Sequence, residues 1–182
     1  MRLRWHNARR IVSPLKSRPS SSMPPIRVTD EQVQQLLSEG KVVPVGLSSP
    51  NMTAKAGCFR KSFDFNGAAG SEFVIKLRQT VINPANFSVI LGYRMPGTYA
   101  IFRLRRYNGK HRHINVLEDE IFHDFHIHMA TERYQRRSGF WEDHYAQPTN
   151  RHFDFKSAIE ALIEDCGFSS KGSNYSLFAP KP

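Results

Sequence analysis

A chain of 182 residues with 40% hydrophobic residues and 13 phenylalanines is long and apolar enough to bury a core, which excludes disorder over most of its length. No apolar run approaches the roughly 20 residues of a membrane span, so the expectation is a soluble, cytoplasmic protein with no membrane partner. The net charge of +10 is unevenly spread: residues 1–22 hold Arg2, Arg4, Arg9, Arg10, Lys16 and Arg18 and no acid, leaving a mildly basic remainder.

That first segment is Arg- and Ser-rich and is broken by Pro14 and Pro19. It reads as a basic disordered tail, a targeting segment or a start mis-assigned upstream of Met23, with a single folded domain over residues 23–182. Thr29 with Gln32 forms a capping box, and Val33, Leu36 and Leu37 give the apolar stripe of a short helix over residues 30–39. Gly40 stands where a left-handed C-cap would end it. Phe59–Phe65 alternates roughly like a strand before the turn Asn66-Gly-Ala-Ala-Gly70. A second strand follows through Phe73, Ile75, Leu77 and Val81, then the turn at residues 83–86. Phe87, Val89, Leu91 and Tyr93 make a third strand. After Pro96-Gly97, Ala100, Phe102 and Leu104 make a fourth, and Asn108-Gly109 reads as a tight turn opening a basic loop, Gly109–His113. Asp154 caps a last helix whose Phe155, Ala158, Ile159, Leu162 and Ile163 repeat at helical spacing up to Gly167. Cys58 and Cys166 form no C-x-x-C spacing and read as buried thiols of a reducing compartment. The fold class is therefore α+β: an antiparallel β-meander sheet with an N-terminal and a C-terminal helix packed on one face.

Alternation assigns the two faces of that sheet. If Phe73/Ile75/Leu77, Phe87/Val89/Leu91 and Ala100/Phe102/Leu104 face the core, the opposite face carries Lys76, Arg78, Arg94, Arg103, Arg105 and Tyr107. In Phe125-His-Ile-His-Met129 the apolar residues point inward, leaving His126 and His128 side by side with the arginines, provided no bulge changes the register. Between Glu72 and Glu118 there is no acid but eight basic residues, a positive field suited to RNA or another polyanion.

Five of the eight histidines lie between residues 111 and 128. Cleaving RNA through its 2′-hydroxyl needs a base, an acid and cations for the charged phosphorane. His126 and His128 suit the acid–base roles, Arg103, Arg105 or Arg78 the phosphate clamp, and Tyr107 or Tyr134 a hydrogen bond or stacking. Lys76, Arg78, Arg94, Lys110, His111, Arg112, His113, Arg133 and Tyr134 are the candidate nucleic-acid contacts, and Glu132 with Arg133 is placed to orient histidines or to pair with each other. A metal site is the alternative chemistry: His126-x-His128 with His111, His113, Glu118, Asp119, Glu120 or Asp124 supplies ligand types. The spacing matches no standard signature and the positive surroundings oppose a cation, so no metal or cofactor is assigned.

The segments Arg106-Tyr-Asn-Gly-Lys-His-Arg-His, Asp124-Phe-His-Ile-His-Met-Ala-Thr-Glu-Arg-Tyr-Gln135 and Tyr145-Ala-Gln-Pro-Thr-Asn-Arg151 resemble a family of small prokaryotic proteins that carries no assigned function. Tyr107-Asn108 before His111-Arg112-His113 is also similar to the element of TumE-type toxins of toxin–antitoxin pairs. That resemblance implies a small toxin held by a cognate antitoxin protein. The chain departs from it in being longer and in carrying His126-x-His128. The reading is a metal-independent ribonuclease-type toxin or defence effector. A non-catalytic module binding nucleic acid or an acidic partner, and a metal-dependent hydrolase, remain open beside it.

Overall fold

The structure, a computed structural model, describes residues 27–136 and 141–169, so the expectation for residues 1–22 lies outside the described residues. In chain order the elements are α1 (Asp30–Ser38), β1 (Lys41–Val42), β2 (Thr53–Lys55), β3 (Cys58–Asn66), β4 (Glu72–Thr80), β5 (Phe87–Arg94), β6 (Ile101–Asn115), β7 (Glu120–Met129), α2 (Glu132–Gln135), β8 (Tyr145–Pro148), α3 (Phe155–Asp165) and β9 (Phe168–Ser169). Strands β2 to β8 form one seven-stranded antiparallel sheet in sequence order, and β1 and β9 make a short parallel pair. The fold is α+β, with three more strands in its sheet than the four that alternation and turns marked out.

Both capping motifs form as their spacing predicts. The Thr29 side chain accepts from the Gln32 N–H while the Gln32 side chain accepts from the Thr29 N–H, and Asp154 and Ser157 repeat the exchange at α3. The two helix ends differ. Gly167 is left-handed (φ 72°), as expected after α3, but Gly40 is not. At α1 Glu39 turns extended, and the ammonium of buried Lys41 takes the loose ends, donating to the carbonyls of Leu36 (2.7 Å), Leu37 (3.1 Å) and Glu39 (2.8 Å). A charged donor here meets orphan carbonyls at the negative end of the helix dipole.

The buried cluster contains Phe73, Ile75, Leu77, Phe87, Val89, Leu91, Phe102 and Leu104 from the sheet, with Val33 and Leu37 from α1 and Ala158, Ile159 and Leu162 from α3. Ala100, expected with them, is exposed, because β6 begins only at Ile101. Cys58 and Cys166 are free and buried. Among the described residues no helix is long and apolar enough to cross a membrane.

Two irregularities in β6 position everything that follows. Gly92 faces Arg103 and Leu91 faces Arg105, so Leu104 is one residue too many. Asn108 faces His126 and His111 faces Asp124, so a second extra residue falls between them. Each bulge reverses the in–out alternation beyond it. The expected turn at Asn108-Gly109 is this second bulge. Gly109 occupies it because a Cβ would lie 1.7 Å from the Ala85 carbonyl oxygen in the turn leading into β5.

Candidate functional site

Between the two bulges the face assignment inverts. Arg105 lies opposite Leu91 and Met129, and Tyr107 opposite Val89 and Ile127, so both belong to the core side and neither joins the histidines. Tyr107 is fully buried, and its hydroxyl donates to Asp165 Oδ2 at 2.9 Å. Burial and the neighbouring Cys166 and Asp165 push its phenol far above the usual range. The residue that takes their place on the polar face is Arg106, opposite His128.

Two unbroken cross-strand rows run along that face. One reads Ser62, Lys76, Ile90, Arg106, His128, Ala146; the next reads Arg60, Arg78, Ser88, Asn108, His126, Pro148. His126 and His128 therefore share a face with Lys76 and Arg78, as expected. They are not on an open surface, however, being 0% and 3% exposed. Strand β8 lies beside β7 at the sheet edge, and the Asp143 carbonyl just before it meets His128.

Beyond the second bulge His111, His113 and Asn115 lie opposite Asp124, Phe122 and Glu120, in phase with His126. Gly109–His113 is thus strand and not a loop, and its histidines join the strand pair instead of standing apart. His113 stacks on the His126 ring at 5.4 Å and lies edge-on to His128 at 4.7 Å, while exposed His111 lies edge-on to His126 at 4.6 Å. His123 faces Arg112, and both point to the other side. Exposure grades from His111 through half-buried His113 to the buried pair, so the cluster is reached from the His111 side.

Each ring of the inner three is held from behind. His126 Nδ1 lies 2.7 Å from the Asp124 carbonyl oxygen, His128 Nδ1 2.8 Å from that of Asp143, and His113 Nε2 3.0 Å from Asn115 Oδ1. Asn115 also exchanges bonds with both backbone groups of Ala146, which ties β6 to β8. The two Nε2 atoms of His126 and His128 face each other at 3.1 Å, and Asn108 Nδ2 approaches them at 3.4 and 3.1 Å. Burial lowers the pKa of all three, that of His126 to about 4 and that of His128 further, with Arg106 adding to the effect. All three imidazoles are therefore neutral at physiological pH. A neutral imidazole accepts a proton or ligates a metal, but it is no general acid.

The arginines are largely committed. Arg103 Nε lies 3.1 Å from Glu142 and 3.4 Å from Asp143, and Arg106 Nε lies 3.1 Å from Asp143, at angles too poor for hydrogen bonds to the Asp143 carboxylate. Asp143 is wholly buried; desolvation raises its pKa and the two arginines oppose that rise. Arg94 pairs with Asp64 and Glu72. Arg133 pairs with Glu118 and stacks on Tyr145, Glu132 pairs with Arg136, and buried Tyr134 donates to Glu118 at 2.6 Å and stacks on His144 at 5.8 Å, so this stretch braces the β6–β7 turn, and Glu132 and Arg133 pair elsewhere and not with each other. Lys76, Lys110 and Arg112 are exposed, and among the described residues Arg78 makes a long contact to Asn86 at 3.5 Å.

Asn108, Asn115, Asp143 and His144 complete the surroundings of the cluster, and sequence reasoning assigned none of them a role. Asn108 and Asn115 stand at strand positions that alternation would have flagged once the bulges were known. Asp143 had no such signal. Compared with known proteins, the chain matches no family model, no curated protein and no solved structure.

Proposed function

We propose that the protein acts on RNA through the polar face of its sheet, as a ribonuclease-type enzyme whose chemistry lies at the histidine cluster. The observation that carries this reading is the pair of cross-strand rows, in which Arg60, Lys76 and Arg78 continue into Arg106, Asn108, His126 and His128. With strands spaced by about 4.8 Å, the basic side chains lie within a few nucleotides' length of the histidines. Helices α1 and α3 would cover the opposite, apolar face. The toxin or defence role, the cytoplasmic setting and a cognate antitoxin are part of this proposal through the resemblance to TumE-type toxins.

The acid–base assignment narrows. His126 is a proton acceptor, exposed His111 is the member of the cluster in exchange with solvent, and phosphate contact stays with Arg78 and falls to Lys76 and Lys110 in place of Arg103 and Arg105, while buried Tyr107 leaves the site. The test is a labelled single-stranded RNA incubated with purified protein. Cleavage is expected from the wild type and lost in His126→Ala/His128→Ala, with RNA affinity kept. Lys76→Ala/Arg78→Ala should weaken affinity and reduce the salt slope by roughly 0.7 per lost phosphate contact. Cleavage that survives the double histidine change would overturn the reading.

The burial of His126 and His128 favours a second reading, a non-catalytic polyanion-binding module. In that case neither protein forms product, while the salt dependence still responds to Lys76 and Arg78.

A further inference from the structure

Among the described residues one group of metal-ligating side chains converges. A ring nitrogen of each of His113, His126 and His128 lies within 4.8 Å of the others. From these contacts we infer that the three histidines bind a single transition-metal ion of the zinc type, with the fourth position open toward His111.

Three features carry this beyond mere proximity. The first is the back-holding of the rings. Metal-bound histidines donate their other N–H to a carbonyl or carboxylate, which fixes tautomer and orientation. The Asp124 and Asp143 carbonyls and Asn115 Oδ1 are such acceptors, at 2.7, 2.8 and 3.0 Å. The second is spacing: Nε2 of His126 and Nε2 of His128 are 3.1 Å apart. Two nitrogens on one tetrahedral zinc, each about 2.0–2.1 Å from the ion, stand about 3.3 Å apart. The third is exposure. The buried pair forms a floor and half-buried His113 a wall, an arrangement of three protein ligands and one accessible position.

The competing arrangement is explicit in the same contacts. Arg106 Nη2 lies 3.1 Å from His128 Nδ1, and a guanidinium only donates. If His128 accepts there, its proton sits on Nε2 and bonds His126 Nε2, giving a closed network that needs no ion but sets two acceptors, Nδ1 and the Asp143 oxygen, against each other at 2.8 Å. If Nδ1 donates to Asp143, it stands donor to donor against Arg106 Nη2, and both Nε2 lone pairs face inward toward the Asn108 amide at 3.4 and 3.1 Å, the donor whose place a bound cation would take. The Arg106 charge that would oppose an ion is met by Asp143 at 3.1 Å.

The inference rests on the proposed function for the substrate, not for the ion, and with the ion bound His126 is a ligand through Nε2 and no longer the proton acceptor. The full chain, stripped with chelator, is titrated with Co(II) and then Zn(II). One Co(II) per chain is expected, with the strong visible bands of four-coordinate cobalt, displaced by zinc. His113→Gln should weaken uptake by more than the roughly 10–100-fold that loss of an outer partner brings. His123→Ala, on the other face, should leave uptake unchanged. No stoichiometric uptake by the wild type, or undiminished uptake by His113→Gln, overturns the inference. Should His113→Gln fail to fold, zinc-induced shifts of the His126 and His128 ring nitrogens in the wild type decide, and their absence overturns it. Metal uptake without RNA cleavage would leave the site and remove the ribonuclease; cleavage indifferent to chelator would do the reverse.

Discussion

Two buried polar clusters in this protein are built on opposite principles. Around Lys41 every proton of the ammonium meets a carbonyl of the α1 terminus, and the cation also lies 4.5 Å above the Phe73 ring. Around His126 and His128 the outward nitrogens are satisfied and the inward ones face each other at 3.1 Å, with the Asn108 amide at 3.4 and 3.1 Å as their one donor among the described residues. A closed donor–acceptor count stabilises a fold and leaves nothing for a ligand. Two ring nitrogens that share a single amide can exchange it for an ion. The buried lysine, a nucleophile candidate by burial alone, is thereby a helix cap.

The comparison is most severely strained by Arg106→Met, which leaves buried Asp143 with only Arg103 near it. The expected cost is about 3 kcal/mol in denaturant unfolding, as for one partner lost from a buried pair. Stability within about 1 kcal/mol of wild type would mean that Asp143 is protonated in the fold. Next comes Lys41→Met, which strands three carbonyls at a cost of about 2–3 kcal/mol. The variant should still take up metal, and its failure to do so while folded would erase the distinction between the two clusters. His126→Leu/His128→Leu should give the converse pattern: metal-dependent stabilisation disappears, while the chelated protein unfolds within about 2 kcal/mol of wild type. The smallest effect is at the surface. Hydrogen bonds from Ser157 lower the Asp154 pKa below the usual carboxylate range. The depressed folded-state value means that this cap contributes fully above about pH 4 and is lost as the pH falls through the folded-state pKa. Asp154→Ala should cost about 1 kcal/mol at neutral pH, and its stability curve should lack that acid limb.

Local chemistry was legible in the residues; register was not. Thr29 with Gln32, Asp154 with Ser157 and left-handed Gly167 depend on neighbours within a few positions, and they form as their sequence predicts. The strands β3, β4 and β5 follow their alternation for the same reason. Alternation in β6 fails twice because an extra residue in a ladder leaves no local mark: Leu104 is apolar on either side of its bulge, and Asn108-Gly109 has the composition of a turn. That is why plain alternation puts Arg105 and Tyr107 on the wrong face and separates His111 and His113 from His126 and His128. Long-range partners were equally silent. Nothing near Asp143 in the chain announces that Arg103 and Arg106 will meet it.

The paired irregularities in β6 also bear on how this chain tolerates change in length. Arg103 and His111, eight residues apart, share a face because the two phase reversals between them cancel. Each bulge carries one surplus residue, so deleting Leu104 restores a regular ladder and leaves both flanks with their present partners; deleting a residue between the bulges closes one of them and changes the face only of the residues between the cut and that bulge. The bulges are therefore slack in the ladder: β6 can lose one residue within 104–110 and keep His111 and His113 beside His126 and His128, whereas an inserted residue finds no partner there.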